Sequence, residues 1–231
     1  IVNKSNPLIG KIQIPGDKSI SHRSIILGSL SLGQLKISNF LTSTDCIATV
    51  NAMRQLGADI TIDDNQVLIK GNGLDGLKEP SDIIDAGNSG TLIRLLSGIL
   101  AAQDFKSSIT GDESLMKRPM ARVIKPLISC GALIESDDYK APLKIIGSKS
   151  LNSINYKQDI ASAQVKSCLM MSALYVEEES KFYEKIPTRD HTENLLEHLD
   201  YKINRNDNSV TFKGRQKLIA KDIEIGSDIS S

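Results

Sequence analysis

Residues 15–23 read PGDKSISHR and separate a short alternating segment, residues 11–14, from an apolar run, residues 24–30. The alternation predicts a half-buried strand, and the apolar run predicts a helix. Proline and glycine end the strand, and the hydroxyl residues that follow are typical of a helix start. The stretch therefore predicts a strand, a loop and a helix near the beginning of the chain.

The charged and polar side chains of this stretch indicate its chemistry. Lys18 and Arg23 bring two cations, and Ser19 and Ser21 two hydroxyl groups, to the predicted helix start. A helix N-terminus has unpaired backbone N–H groups and a partial positive charge, so it attracts anions. A site for a small phosphorylated or carboxylated substrate is the functional interpretation. A capped helix with solvated basic side chains is the structural alternative.

A longer pattern recurs along the chain. A helix, a small-residue turn and a strand occur in residues 47–60 and 121–134, with a weaker copy in residues 195–203. After a polar turn, each copy continues into a strand that ends in glycine, at residues 67–71, 143–147 and 210–214. This spacing predicts one hairpin in each repeat.

A basic residue also recurs near the start of three apolar helices. Arg23, Arg94 and Lys166 follow one another at intervals of 71 and 72 residues, each after a loop of small residues. We therefore predict an α+β domain with α/β-type repeats over residues 8–222. Its three βαβαββ units are expected at about 8–75, 76–150 and 151–215. The three helix starts, each with its cation, are expected to converge on one anion-binding surface.

Composition argues against several functional classes. Lys+Arg and Asp+Glu both total 28, so the chain lacks the basic excess of a nucleic-acid surface. Aromatic residues make up 4% and Trp is absent, which argues against base stacking. The longest apolar stretch, residues 95–102, is too short to span a bilayer. Cys46, Cys130 and Cys168 lack metal-ligand spacing and are expected to be buried thiols. We predict a cytoplasmic protein without a metal, membrane or nucleic-acid partner.

Two further loops open apolar helices. Asn88 and Gly90 belong to a GNSG turn, where the missing Cβ at Gly90 lets a ligand approach the backbone. The other loop contains Ser162, Ala163 and Gln164, whose hydroxyl and amide groups are suited to hold a phosphate. Neither loop matches a nucleotide-binding signature, so each is a weak signal alone.

Two segments combine basic residues with a helix start. Arg118 is suited to clamp a carboxylate or phosphate in bidentate fashion, and Pro119 beside it fits the first position of a helix. Residues 188–193, TRDHTE, contain a capping pattern together with Arg, Asp and His. His191 in this segment and His22 both lack an evident carboxylate orienter or nucleophile, so structural roles are preferred for both.

These motifs occur in an order that resembles a known family. They are Asp17-Lys18-Ser19-x-Ser21-x-Arg23, Gly87-Asn88-Ser89-Gly90-Thr91-x-x-Arg94, Arg118-Pro119-Met120, Ser162-Ala163-Gln164-Val165-Lys166 and Arg189-Asp190-His191-Thr192-Glu193. Together they resemble the 5-enolpyruvylshikimate-3-phosphate synthases (3-phosphoshikimate 1-carboxyvinyltransferases) over essentially the whole chain. The last two motifs are similar to the second of the family's two sequence classes.

The resemblance implies the enolpyruvyl transferase fold. This fold has two similar domains, each with three βαβαββ units around a pseudo-threefold axis, and the substrates bind between the domains. The chain is expected to be the N-terminal half of such an enzyme. Residues 1–7 would then be a strand segment of the missing second domain, and residues 223–231 the crossover into it. The expected partner is that C-terminal domain, in a monomeric enzyme.

The resemblance also implies a reaction. An enolpyruvyl group would pass from phosphoenolpyruvate to the 5-hydroxyl of shikimate 3-phosphate, releasing phosphate, in chorismate and aromatic amino-acid biosynthesis. No metal or organic cofactor is expected. Gly90 would lie where sensitivity to the herbicide glyphosate is tuned. Because the acidic and further basic residues of the family come from the second domain, this half alone is expected to bind shikimate 3-phosphate weakly without turnover.

Site residues follow from the same resemblance. Lys18 is the expected catalytic residue and would touch both substrates. Arg189 would bind the phosphate in place of the hydroxyl that Ala163 lacks. Arg94 is expected to be mainly structural. The residues expected to bind shikimate 3-phosphate are Lys18, Ser19, Arg23, Ser162, Ala163, Gln164 and Arg189. Those expected to bind phosphoenolpyruvate are Lys18, Asn88, Gly90, Arg118 and Gln164.

Two alternatives remain open at this point. One is half of the sister enzyme that transfers enolpyruvyl to UDP-N-acetylglucosamine. It typically carries Lys-Asn where this chain has Lys18-Ser19, and a Cys in the loop near Arg118, where this chain has none. The other is a non-catalytic phosphosugar-binding domain, which would keep the anion-binding loops without needing a second domain.

Overall fold

The structure is a computed structural model that describes residues 10, 12 and 14–230. Its helices are α1 (Lys18–Ser29), α2 (Thr44–Gln55), α3 (Gly90–Ala101), α4 (Glu113–Met116), α5 (Ala121–Ser129), α6 (Ala163–Ala173) and α7 (His191–His198). Its strands are β1 (Leu32–Ser38), β2 (Asp59–Asp63), β3 (Gln66–Asn72), β4 (Ile84–Asp85), β5 (Lys106–Thr110), β6 (Leu133–Asp137), β7 (Lys140–Ile146), β8 (Asn155–Gln158), β9 (Glu179–Glu184), β10 (Asn204–Asn206), β11 (Ser209–Lys213) and β12 (Ile223–Glu224).

The described residues form three four-stranded sheets with one shared topology. Their strand orders are β12-β1-β3-β2, β4-β5-β7-β6 and β8-β9-β11-β10. In each sheet the first two strands are parallel, and the third and fourth are antiparallel to their neighbours. The hairpins β2–β3, β6–β7 and β10–β11 therefore occupy equivalent places. The repeat predicted from the sequence is present in the fold.

The first sheet takes its outer strand from a late part of the chain. β12 pairs in parallel with β1, with Ile223 opposite Ile37, although the resemblance implied a crossover for residues 223–231. The strand predicted at residues 11–14 is wrong where the structure describes it, because Ile12 and Ile14 lie in no strand. The buried Ile223 already covers that edge of the sheet. Residues 11 and 13, and the segment predicted at residues 1–7, lie outside the described residues.

The first helix begins earlier than the apolar pattern predicts. α1 starts at Lys18, and the Asp17 carboxylate caps it by accepting a hydrogen bond from the Ile20 N–H over 2.6 Å. The polar residues between Lys18 and Arg23 are therefore the first turns of the helix and not the loop before it. Asp17 takes the cap position expected for a serine, and the two residue types cap helices about equally well.

Two central helices pack at very short range. α3 and α6 are buried along most of their length, and α6 buries Lys166, Ser167 and Ser172 together with its apolar residues. At Gly98 a Cβ atom would lie 2.1 Å from the carbonyl oxygen of Cys168, so only glycine allows this crossing. The helix starts also meet, because the Gln164 amide donates to the Thr91 hydroxyl over 3.0 Å. Close packing thus places the starts of two repeats side by side.

None of the helices in the described part of the chain is long and apolar enough to cross a membrane.

Candidate functional site

Lys18 opens helix α1 at the surface of the domain. Its side chain is 43% exposed, and its ammonium group pairs with the carboxylate of Asp45 in the first turn of α2. The cap residue of α2 is Ser43, whose side chain makes no capping hydrogen bond. Asp45 therefore sets the position of an exposed cation.

Ser19 connects α1 with a distant loop. Its hydroxyl accepts a hydrogen bond from Nη1 of Arg189 over 3.4 Å, across 170 residues of chain. Arg189 is exposed and lies just before α7. The fold thus brings together the first and the last of the sequence motifs, as the anion-site prediction requires.

Arg23 lies behind Ser19 in the interior, with only 2% of the residue exposed. Its guanidinium donates to the Ser19 carbonyl, the Thr192 hydroxyl and the Ser167 hydroxyl, each over 2.8 Å. Burial lowers its pKa to about 10, so it keeps its charge at neutral pH. These contacts join α1 to α6 and α7, and they support Ser19 directly.

The start of α6 presents donors beside α3. The Ser162 hydroxyl caps the helix and accepts from the Val165 N–H over 3.4 Å. Ala163 and Gln164 form its first turn and are partly exposed. The Gln164 amide is anchored to Thr91. A helix start is suited to bind an anion through its first backbone N–H groups.

A polar cluster surrounds the start of α3. Arg118 Nη2 donates to the Asn88 side-chain oxygen over 2.5 Å, and the Asn88 amide donates to Asp112 over 2.7 Å. Asp112 also caps α4 by accepting from the Leu115 N–H. The hydrogen bond to Asn88 and this cap hold the pKa of the Asp112 carboxyl below its usual value. Asn88 is therefore oriented on both sides, and it holds the Arg118 guanidinium at the loop.

Gly90 lies between two guanidinium groups. A Cβ at this position would lie 2.6 Å from Arg94 Nη1 and 3.1 Å from Arg118 Nη1. Arg94 itself donates to the Gly90 carbonyl over 2.8 Å, in agreement with the structural role expected for it. Its pKa is lowered mainly by burial and further by the charges of Arg118 and Arg122. The missing Cβ thus lets both arginines approach the helix start.

A cleft of about 540 Å³ separates α2 from the loop between β4 and α3. Asp45, the partner of Lys18, lines it on one side, and Asn88 and Asp112 line it on the other. The cleft connects the Lys18 region with the Asn88 and Arg118 region. This open surface therefore lies between the carboxylate that pairs with Lys18 and the amide side chain that holds Arg118.

The three repeated cations do not converge on that surface, so this part of the sequence prediction is wrong. Arg23 and Lys166 are buried, with 2% and 1% of each residue exposed, and Arg94 is half-buried. Their positions face neighbouring helices, where hydroxyl, carbonyl and carboxylate groups accept their hydrogen bonds. Among the other motif cations, Lys18 and Arg189 are exposed and Arg118 is partly exposed, and all three lie outside the repeat spacing.

Three further sequence predictions concern His22, Pro119 and the cap of α7. His22 is fully buried, with Nδ1 2.6 Å from the Thr49 hydroxyl, and burial lowers its pKa to about 3, so the core role preferred for it agrees with the structure. Pro119 lies ahead of α5 and not in its first position, because Met120 is the cap residue. Asp190 precedes α7, but its carboxylate bonds Asn194 and Arg205 and makes no capping hydrogen bond.

Sequence reasoning missed four contacts that assemble the site. Asp45 pairs with Lys18, Thr91 holds Gln164, and Thr192 and Ser167 hold Arg23. Thr91, Thr192 and Ser167 lie within or next to the recognised motifs, which was the available signal for them, whereas Asp45 lies outside every motif. Their roles depend on contacts between helices that are distant in sequence, which a single chain does not reveal.

Three four-stranded sheets of one topology define a class, the α+β domains built from three internal repeats. A family model described as EPSP synthase (3-phosphoshikimate 1-carboxyvinyltransferase) matches residues 2–231. The chain therefore belongs to the EPSP synthase family, and the resemblance found from the motifs is confirmed.

Individual relatives agree with this assignment. The chain is 52% identical to the 3-phosphoshikimate 1-carboxyvinyltransferase of Vesicomyosocius okutanii over 231 residues, 100% of this chain and 53% of that protein. It is 47% identical to that of Coxiella burnetii (strain CbuG_Q212) over 229 residues, 98% and 52% of the two chains. EPSP synthase from Acinetobacter baumannii superposes with a TM-score of 0.91 at 43% identity, over 96% of this chain and 50% of that one. The fold prediction is confirmed.

The chain spans about half the length of the curated relatives it matches.

Proposed function

We propose that this chain forms one half of an enolpyruvyl transferase site and binds shikimate 3-phosphate and phosphoenolpyruvate along its open surface. The observation that carries the proposal is the hydrogen bond between Ser19 and Arg189. It brings an exposed guanidinium to the start of α1, next to Lys18. A cation and free helix N–H groups at one place are what a phosphate needs.

The phosphate of shikimate 3-phosphate is assigned to Arg189 and the start of α6. Ser162 and Gln164 supply a hydroxyl and an amide, and Ala163 supplies only its backbone N–H. Arg189 provides the charge-assisted hydrogen bonds that the smaller side chain cannot make. Ser19 holds the sugar ring, and buried Arg23 supports it through the Ser19 carbonyl.

Phosphoenolpyruvate is assigned to the opposite end of the surface. Arg118 is oriented by Asn88, and the missing side chain of Gly90 gives both the ligand and the guanidinium room. A planar guanidinium binds a carboxylate or phosphate through two parallel hydrogen bonds. Gln164 and Lys18 lie toward the shared boundary of the two substrates.

In the proposed reaction the methylene carbon of phosphoenolpyruvate takes a proton, and the 5-hydroxyl oxygen bonds to its central carbon. The hydroxyl proton leaves, which gives a tetrahedral intermediate. The bond to the phosphate oxygen then breaks, inorganic phosphate departs, and loss of the methyl proton restores the double bond. Lys18 stabilises the developing charge between the substrates, and Asp45 fixes its position. The general acid and base are assigned to a second domain, which also completes the cleft of a cytoplasmic, monomeric enzyme.

Calorimetric titration of the 231-residue chain with shikimate 3-phosphate tests the proposal. Lys18→Ala and Arg189→Ala are each expected to weaken binding about tenfold or more, since a hydrogen bond to a charged group contributes about 1.5–3 kcal/mol. Lys221→Ala is the matched control, because Lys221 pairs with Asp200 outside this surface. Unchanged affinity in both site variants would overturn the assignment, and full turnover by the chain alone would contradict the half-site.

A further inference from the structure

A buried ionic cluster underlies the loop that carries Arg189. The Lys166 ammonium lies 2.7 Å from Glu184 Oε2 and 2.6 Å from Glu193 Oε1. The side chains of Lys166 and Glu193 are 2% exposed, and that of Glu184 is 11% exposed. Transfer of such charges from water is costly, and apolar residues of similar volume often stabilise a core equally well. Stability alone therefore gives no reason for this cluster.

The cluster holds both ends of one loop. Glu184 is the last residue of β9, Glu193 lies in the first turn of α7, and residues 185–190 connect them. Lys166 belongs to α6, two positions after Gln164. A single ammonium group therefore ties both ends of the loop to the helix whose start is assigned to the phosphate.

A further contact reaches the loop itself. The Thr188 hydroxyl donates to the second carboxylate oxygen of Glu184, Oε1. Thr188 directly precedes Arg189. A continuous series of contacts thus leads from α6 through Lys166 and Glu184 to the residue next to Arg189, whose guanidinium reaches Ser19.

We propose that Glu184, oriented by Lys166, is a positioning residue that holds Arg189 in register with the start of α6. The cost of ordering a loop and a long side chain on binding falls when both are already in place. Glu184 touches no substrate and acts through Arg189. The inference rests on the proposed function, because the ligand it serves is the phosphate of shikimate 3-phosphate.

Two variants and a control separate this role from simple stability. Glu184→Gln removes the charge at nearly constant volume, while Glu193 still balances Lys166. Thr188→Val cuts the link to the loop and leaves every ionic contact intact, so it carries the test if the first variant fails to fold. Glu179→Gln is the matched control, because Glu179 begins the same strand with an exposed side chain.

The first measurement is backbone amide relaxation by NMR over residues 185–190 except Pro187, which has no amide proton. It needs no ligand. Both variants are expected to increase motion on the nanosecond timescale in this loop, and the control is expected to match the wild-type chain. Equal order parameters in all four proteins would overturn the proposal. This result is independent of whether the chain binds shikimate 3-phosphate.

The second measurement is a double-mutant cycle in shikimate 3-phosphate affinity. Glu184→Gln is expected to weaken binding about threefold to tenfold in the wild-type background and to have no effect when Arg189→Ala is already present, as coupled residues do. Equal losses in both backgrounds would identify a merely structural role and overturn the proposal. The proposed function would be refuted instead if the wild-type chain did not bind shikimate 3-phosphate, or if the Arg189→Ala variant bound it normally. In that case the relaxation data would still decide the role of Glu184.

Discussion

The cations of this domain fall into a buried group and an open group. Arg23 and Lys166 lie in the interior, and each is surrounded by acceptors from neighbouring elements. Lys18, Arg118 and Arg189 lie at the surface, and each has a polar neighbour that leaves it accessible to solvent. All five residues lie near helix starts, so nearness to a helix start does not distinguish the groups, although the two buried residues follow the repeat spacing and the three open ones do not.

The difference shows how one sequence feature serves two purposes. A buried cation is retained only where its partners replace water, so it joins elements and orders them. An exposed cation keeps its hydration and exchanges it for a ligand. In this domain the buried group assembles the surface that the open group presents. Substitutions in the buried group should therefore mainly affect stability, and those in the open group should mainly affect binding.

The largest expected effect comes from removing a buried cation. Lys166→Met leaves the Glu184 and Glu193 carboxylates buried without their partner. We expect the free energy of unfolding to fall by about 3–5 kcal/mol, as for other broken buried ion pairs. Urea unfolding monitored by circular dichroism measures it. Lys221→Met, in an exposed pair, should change stability by no more than about 0.5 kcal/mol and is the control. A fall in the free energy of unfolding of less than about 1 kcal/mol for Lys166→Met would contradict the distinction between the buried and the open cations.

The buried imidazole of His22 should make stability depend on pH instead, because the effect of burial on its pKa outweighs that of the nearby Asp45 carboxylate. Burial lowers the pKa of His22 from 6.5 to about 3. Below pH 6.5 the imidazole of His22 takes up a proton in the unfolded chain. In the folded chain the same imidazole stays neutral down to about pH 3. The free energy of unfolding should therefore fall on acidification through this window, by up to about 1.4 kcal/mol per pH unit from this group, and recover above it.

The variant His22→Gln isolates that contribution. Its stability should fall less steeply than that of the wild-type chain between pH 6 and pH 4 in urea unfolding series. His191, whose pKa is also lowered, chiefly by burial, remains in both proteins and cancels in the comparison. Parallel pH curves would contradict the prediction.

The smallest expected effect on stability belongs to the open group. Arg189→Met removes an exposed side chain whose hydrogen bond to Ser19 is long, at 3.4 Å. We expect the free energy of unfolding to stay within about 0.5 kcal/mol of the wild-type value, the range usual for surface substitutions. The same urea series measures it. A loss above about 1 kcal/mol would mean that Arg189 also holds the fold together.

The fold was largely predictable because its signals are local. Glycine-ended strands, polar turns and apolar helices recur at a fixed spacing, and each depends on neighbours in sequence. The first strand of the first sheet was not predictable in this way. Its place is taken by Ile223, about 190 residues after β1, and two residues of strand leave no periodic pattern to read.

The candidate residues were named from the sequence, but their geometry was not predictable. Among the motif residues, Ser19 and Arg189 meet across 170 residues of chain, and Arg118 contacts Asn88. Helix packing decides which cations face inward. Lys166 faces inward because it pairs there with the carboxylates of Glu184 and Glu193, which belong to later elements. Such partners are separated from it by 18 and 27 residues. No local pattern connects them.

Strand β12, late in the chain, is followed by a segment that lies next to residues 15–17. The Asp17 N–H donates to the Gly226 carbonyl and the Asp228 N–H to the Pro15 carbonyl, both over 2.9 Å, so these segments run side by side. In topological terms the three units form a ring without a first member. A circular permutant that joins residue 228 to residue 15 and opens at the exposed Lys149 would keep all three sheets, because the opening falls between two units.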